Sequence, residues 1–120
     1  TFLQGFAKGL GITEVVNSPT FVILKRFKIM KSQIPNPKSQ INPKLKTQNS
    51  KFTNFYHIDC YRIDDAKDME HLHFKEIISN LQNIVAIEWP EKIKKILPKN
   101  VITIKFKHGA ENQRTLTIKE

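Results

Sequence analysis

Apolar positions change their period several times along this chain, and each change marks an element. Phe2, Leu3, Phe6, Ala7 and Leu10 recur at helical spacing, which predicts a helix over residues 1–10 ended by Gly9 and Gly11. Ser18-Pro19 signals a turn, and the run 20–29, with Phe21, Val22, Ile23, Leu24, Phe27 and Ile29, predicts a strand. Residues 52–59 alternate and predict another. Asp64-Asp65 can then cap a helical stretch carrying Met69, Leu72, Ile77, Ile78 and Leu81, as one helix or as two short ones. Ile84-Val85-Ala86-Ile87 is a continuous apolar run suited to a strand buried on both faces, and it ends on Glu88-Trp89-Pro90-Glu91. A basic helix over 91–97 and two alternating strands, 101–107 and 114–119, with Gly109 in the turn between them, complete the series. Strands interleaved with helices predict an α/β or α+β three-layer fold.

Residues 31–51 break this pattern. They hold Pro35, Pro37 and Pro43, many Asn, Gln and Ser, and few large apolar side chains, which predicts a flexible insertion that cannot repay the entropy of ordering. The similarity of residues 32–38 to 39–44 reads as a local duplication. Charge concentrates in the same region. The chain has a formal net charge of +9, yet eight of its 20 Lys and Arg lie between Glu14 and Asp59, where no acid occurs. That segment is either a solvated loop or a contact for a polyanion.

At 120 residues the chain is expected to be one domain, residues 1–120, with the basic insertion at 31–51. With 39% apolar and 26% charged residues, full disorder is excluded, and no apolar run approaches the ~20 residues needed to cross a bilayer. A single cysteine, Cys60, cannot form an intrachain disulfide, which suits a reducing cytoplasm. His57, Asp59, Cys60, His71 and His73 are metal-ligating types, but their spacing matches no standard zinc pattern.

In open α/β sheets, ligands gather at the carboxyl ends of strands. Two acids stand at such ends, Asp59 and Glu88. A small apolar strand ending in a carboxylate suits a magnesium ion beside phosphates, because a hard cation takes rigidly placed oxygens. Each acid alone also has a plainer reading: an Asp after a strand often caps the next turn, and a buried strand must end on something polar.

Taken together, Thr1-Phe2-Leu3-Gln4-Gly5 with Gly9-Leu10-Gly11-Ile12, then Ser18-Pro19-Thr20-Phe21, the string YHIDCYRI at 56–63 and Ile87-Glu88-Trp89-Pro90-Glu91 closely resemble the TsaE family, the ATPase component of bacterial tRNA threonylcarbamoyladenosine synthesis. The resemblance follows the family's order over nearly the whole chain, outside the insertion and the looser C-terminal strands. It implies a P-loop NTPase-like three-layer α/β sheet with helices on both faces, ATP and Mg2+ as cofactors, and TsaB and TsaD as partners in the cytoplasm, with tRNA contacted indirectly. The family's Lys-Thr pair falls just before the position of Thr1. The chain therefore reads as opening inside a helix, without its first strand and P-loop, as a partial sequence or a degenerate relative, and the 120 residues alone are expected not to hydrolyse ATP.

Carried over by position, the resemblance implies that Glu88 holds magnesium and that Asp59 positions water on the phosphate side. It places Thr20 in a segment that senses the terminal phosphate and Trp89 near the nucleotide, or in the core with its indole N–H satisfied. Arg114 is implied as a nucleotide-binding residue. Arg62 is expected to pair with a helix acid rather than with phosphate, and Tyr61 to lie in the core. One departure stands out: the family usually has Gly after a Leu near position 73, where this chain has His73, and a side chain there disfavours a left-handed turn. A competing class is a nonenzymatic RNA-binding or scaffold module using the basic insertion, although residues 31–51 lack the aromatics that single-strand readers stack on bases.

Overall fold

The computed structural model describes residues 2–17, 23–29, 51–111 and 113–120. Thr20 and nearly all of the 31–51 insertion lie outside them. Helix α1 spans Phe2–Gly9 and ends as its glycines predict. Gly11 takes φ 79°, its N–H donates to the Lys8 carbonyl, and the Ile12 N–H donates to the Ala7 carbonyl. This is a Schellman turn, in which a left-handed glycine lets the last carbonyls find donors. Ile12 and Ala7 are both buried in one cluster, so the turn also seals the helix end apolarly.

Three strands form the main sheet: β1 at Leu24–Lys28, β2 at Asn54–Asp59 and β3 at Asn83–Glu88, in the order β1-β2-β3. β1 runs antiparallel to β2, and β2 runs parallel to β3. Successive side chains of β2 point to opposite faces. Phe55 therefore joins Ala7, Ile12, Val16, Phe27 and Ile29 on the face that α1 covers. Ile58 joins Cys60, Ile63, Met69, Phe74 and Ile93 on the other. Helical segments thus pack on both faces of a mixed α/β sheet. Phe55, wholly buried, stacks on Phe27 at 6.0 Å and meets Phe6 at 5.8 Å.

The second face is covered by a 3-10 helix at Ala66–Leu72, helix α2 at Phe74–Ser79 and a second 3-10 helix at Pro90–Ile96. The helical stretch is thus two elements. Asp65 caps the first: its carboxylate accepts the Lys67 N–H, and Asp68 reaches back to the Asp65 N–H. Between the two elements His73 does adopt the left-handed conformation, at φ 52° and ψ 36°. Leu81 does not join the core; it is 80% exposed, in the turn before β3. β3 itself is half-buried along its whole length rather than buried on both faces, because it is the last strand of its sheet among the described residues.

β4 at Thr103–His108 and β5 at Arg114–Lys119 pair antiparallel as a separate two-stranded sheet. Phe106 meets Phe2 of α1 edge-on at 5.2 Å. The turn uses Gly109 for closeness rather than for a left-handed backbone. A Cβ there would stand 3.1 Å from the Gln113 Cβ, and the positive φ falls on Glu111. No helix among the described residues is long and apolar enough to cross a membrane.

Candidate functional site

Because β2 and β3 are parallel and in register from Asn54↔Asn83 onward, Asp59 is the direct partner of Glu88. Cross-strand partners share a face, so the two carboxylates emerge side by side at the carboxyl rim of the sheet, on the α1 face. The start of the pair is pinned by amides: Asn54 Nδ2 donates to Asn83 Oδ1 at 3.0 Å, and Asn83 Nδ2 donates to the Ile77 carbonyl. The end is continued by the Cys60 N–H, which donates to the Glu88 carbonyl.

Asp59 does cap the following turn, since its Oδ1 accepts the Tyr61 N–H at 3.0 Å. Glu88 is 42% exposed at its side chain, and its Oε1 accepts Nε2–H of His57 at 2.6 Å. Oε2 has no hydrogen-bond partner among the described residues. His57 lies on the same face as Asp59, two residues earlier on β2, and is 2% exposed. Its other ring nitrogen, Nδ1, is buried without a hydrogen-bond partner among the described residues. Beneath the rim, burial pushes the Cys60 thiol from 9.0 up to about 11, with the Asp59 charge adding to the effect.

Trp89 follows Glu88 in the left-handed conformation, at φ 56° and ψ 48°, which lifts its ring off the strand. It is 54% exposed and leans on Tyr61, itself 62% exposed, with ring centroids 5.3 Å apart. Neither ring belongs to the core, contrary to the core assignment of Tyr61 and to the buried-indole alternative for Trp89. Exposed aromatics beside a rim offer a face for another planar or apolar group.

The structure thus brings together Asp59, Glu88 and Trp89 and adds His57 and Tyr61. Arg114 stands on the other sheet, at the first residue of β5, where its Nη1 donates to the Gln113 carbonyl. Arg62 lies exposed in the turn after β2. Among the described residues no three His, Cys, Asp or Glu side chains gather to enclose a metal ion. A pair of carboxylates with an oxygen unclaimed fits magnesium, which needs one or two such ligands and keeps waters or phosphates for the rest. No Gly-rich loop ending in Lys-Thr occurs in the sequence.

The fold is thus a mixed α/β sheet with helical segments on both faces and paired acids at its carboxyl rim, the edge where such sheets receive ligands. The sequence profile described as "Threonylcarbamoyl adenosine biosynthesis protein TsaE" matches residues 1–116, and the chain belongs to the TsaE family. It is 32% identical to the tRNA threonylcarbamoyladenosine biosynthesis protein TsaE of Bacillus subtilis over 98% of this chain and 59% of that protein. It is 33% identical to the protein of that name in Borreliella burgdorferi, over 89% of this chain and 63% of the relative. For Treponema pallidum the identity is 27%, over 98% of this chain and 70% of the relative. The chain therefore spans roughly three-fifths to seven-tenths of the length of these relatives. The family's description names threonylcarbamoyl adenosine biosynthesis.

Proposed function

We propose that the protein is, or is part of, the ATPase component of that pathway, binding and hydrolysing ATP with Mg2+ to cycle the modifying assembly in the cytoplasm. The observation that carries this reading is the register pairing of Asp59 with Glu88 at the carboxyl rim. In it the sheet has P-loop NTPase-like layering, and TsaB and TsaD are the partners that hydrolysis resets, with tRNA touched indirectly.

Glu88 offers Oε2 to the ion, while His57 keeps Oε1 in place. Magnesium held there would supply charge neutralisation for the phosphates. Asp59, tied to the Tyr61 N–H at Oδ1, is rigid enough to orient a water from the neighbouring strand end. Trp89, Thr20 and Arg114 are assigned to the nucleotide through the family resemblance. The 120 residues alone do not turn over ATP in this reading, because phosphates are held by a Gly-rich loop with Lys-Thr that this sequence does not contain. The RNA-scaffold alternative gains nothing from the aromatic pair, because Asp59 and Glu88 beside it repel a phosphate backbone.

The test is nucleotide hydrolysis by the protein carrying the family's Gly-rich, Lys-Thr segment ahead of Thr1, with Glu88→Gln and Asp59→Asn compared. Loss of about 10²-fold or more in kcat with Glu88→Gln is expected, the scale for removing a group that organises transition-state charge. An unchanged rate and an unchanged magnesium requirement in that variant refute the assignment. Magnesium-dependent turnover by the 120-residue chain would equally refute the role given to the loop.

A further inference from the structure

We infer that His57 is a positioning residue for Glu88, placed in the sheet to fix the carboxylate that holds the divalent ion; this rests on the ion-holding role of Glu88 proposed above. His57 is the one polar or charged side chain buried among the described residues. Its strand position faces Lys25 on β1 and Ala86 on β3. Ala86 is small, so the ring can reach diagonally past it to Glu88, two residues further along β3, and Nε2–H meets Oε1 at 2.6 Å.

Stability alone gives no reason for a histidine here. Its neighbours on that face include Phe55 and the partly buried Ile84 and Ala86, and Nδ1 is left buried with no hydrogen-bond partner among the described residues. An apolar side chain of similar volume would pack without that orphan. What the imidazole adds is a donor locked in place by its surroundings, aimed at one oxygen of an otherwise half-exposed, freely rotating side chain. Folding, rather than ion binding, then settles the Glu88 rotamer, and Oε2 is left for the ion. The Nε2–H tautomer is the one this geometry demands of a neutral ring.

The experiment compares the protein with His57→Leu, His57→Gln and Glu88→Gln by Mn2+ titration followed by electron paramagnetic resonance, by thermal unfolding, and by the ring-proton region of the NMR spectrum. His57→Leu is expected to melt no lower than the parent yet to bind Mn2+ about 10-fold more weakly, the usual scale for losing a partner of a metal ligand. His57→Gln, whose amide nitrogen can occupy the place of Nε2, recovers most of that affinity. The parent shows a slowly exchanging Nε2–H signal, far downfield, that moves on Glu88→Gln. A lowered melting temperature with unchanged Mn2+ affinity in His57→Leu overturns the inference. So does a parent spectrum without that signal, which also decides the matter if His57→Leu fails to fold. A parent that shows the signal but binds no Mn2+ leaves His57 holding Glu88 and removes the ion-holding role instead.

Discussion

Replacing His73 by glycine should stabilise this protein, and the size of the gain can be worked from its surroundings. His73 joins the 3-10 helix Ala66–Leu72 to α2 in the left-handed conformation, its N–H donating to the Glu70 carbonyl and its own carbonyl accepting the Ile77 N–H. Those backbone bonds survive substitution. Relief of the Cβ clash contributes about 1–2 kcal/mol. The greater freedom of glycine in the unfolded chain takes back about 0.4–1 kcal/mol. The side chain contacts Glu76 at 2.9 Å, but both are about three-quarters exposed, and losing such a helical pair costs about 0.2–0.5 kcal/mol. The balance for His73→Gly is a gain of about 0.5 kcal/mol. His73→Ala keeps the clash, loses the pair and should fall a few tenths of a kcal/mol below the parent. Urea unfolding of the three proteins gives the ordering, and melting temperatures should separate glycine from alanine by roughly 3–6 °C. If alanine equals or exceeds glycine, residue 73 is not left-handed in solution and the account of this junction fails.

Other consequences are as direct. Phe55→Ala removes a ring held between Phe27 and Phe6 and should cost about 3–5 kcal/mol in denaturant unfolding; a loss under 1 kcal/mol would mean that the α1 face is not packed on β2. The Cys60 thiol keeps its proton longer in the folded chain than in the unfolded one, because its pKa rises from 9.0 to about 11. Between those values the folded state binds more protons, so stability falls as pH rises through the window and is untouched below it. Relative to Cys60→Ala, the parent should lose roughly 1–3 kcal/mol from pH 9 to pH 11, and parallel pH profiles for the two proteins would contradict this.

Much of the fold could be read from the chain because its signals are local. The glycine pair after α1, Asp65 ahead of its helix and the apolar run ending at Glu88 each determine their structure within a few residues. The acids could be placed at strand ends for the same reason. That they lie side by side could not, because it depends on β2 and β3 being neighbours, parallel and in register, a relation between segments 29 positions apart. His57 was visible only as a ligand type, since nothing local shows that a ring on one strand reaches a carboxylate on the next. Tyr61 is exposed where aromatic character argues for burial, and of the two readings of Trp89 the core one fails because the left-handed backbone there turns its ring outward. The expected strand at 20–29 is seen as Leu24–Lys28, with residues 18–22 outside the described part.

The rim has an arithmetic of its own. Five steps separate Asn54 from Asp59, and five separate Asn83 from Glu88. With the amides matched at one end, the carboxylates can meet at the other only while the two counts agree. One residue gained or lost inside either strand alone would throw one acid to the opposite side of the sheet, even if every apolar contact could be repaired. Matched changes in both strands, placed beyond His57 and Ala86, would keep the acids together but carry them across to the face of Ile58, away from His57. Length in these two strands is therefore as much a part of the site as the identity of its acids.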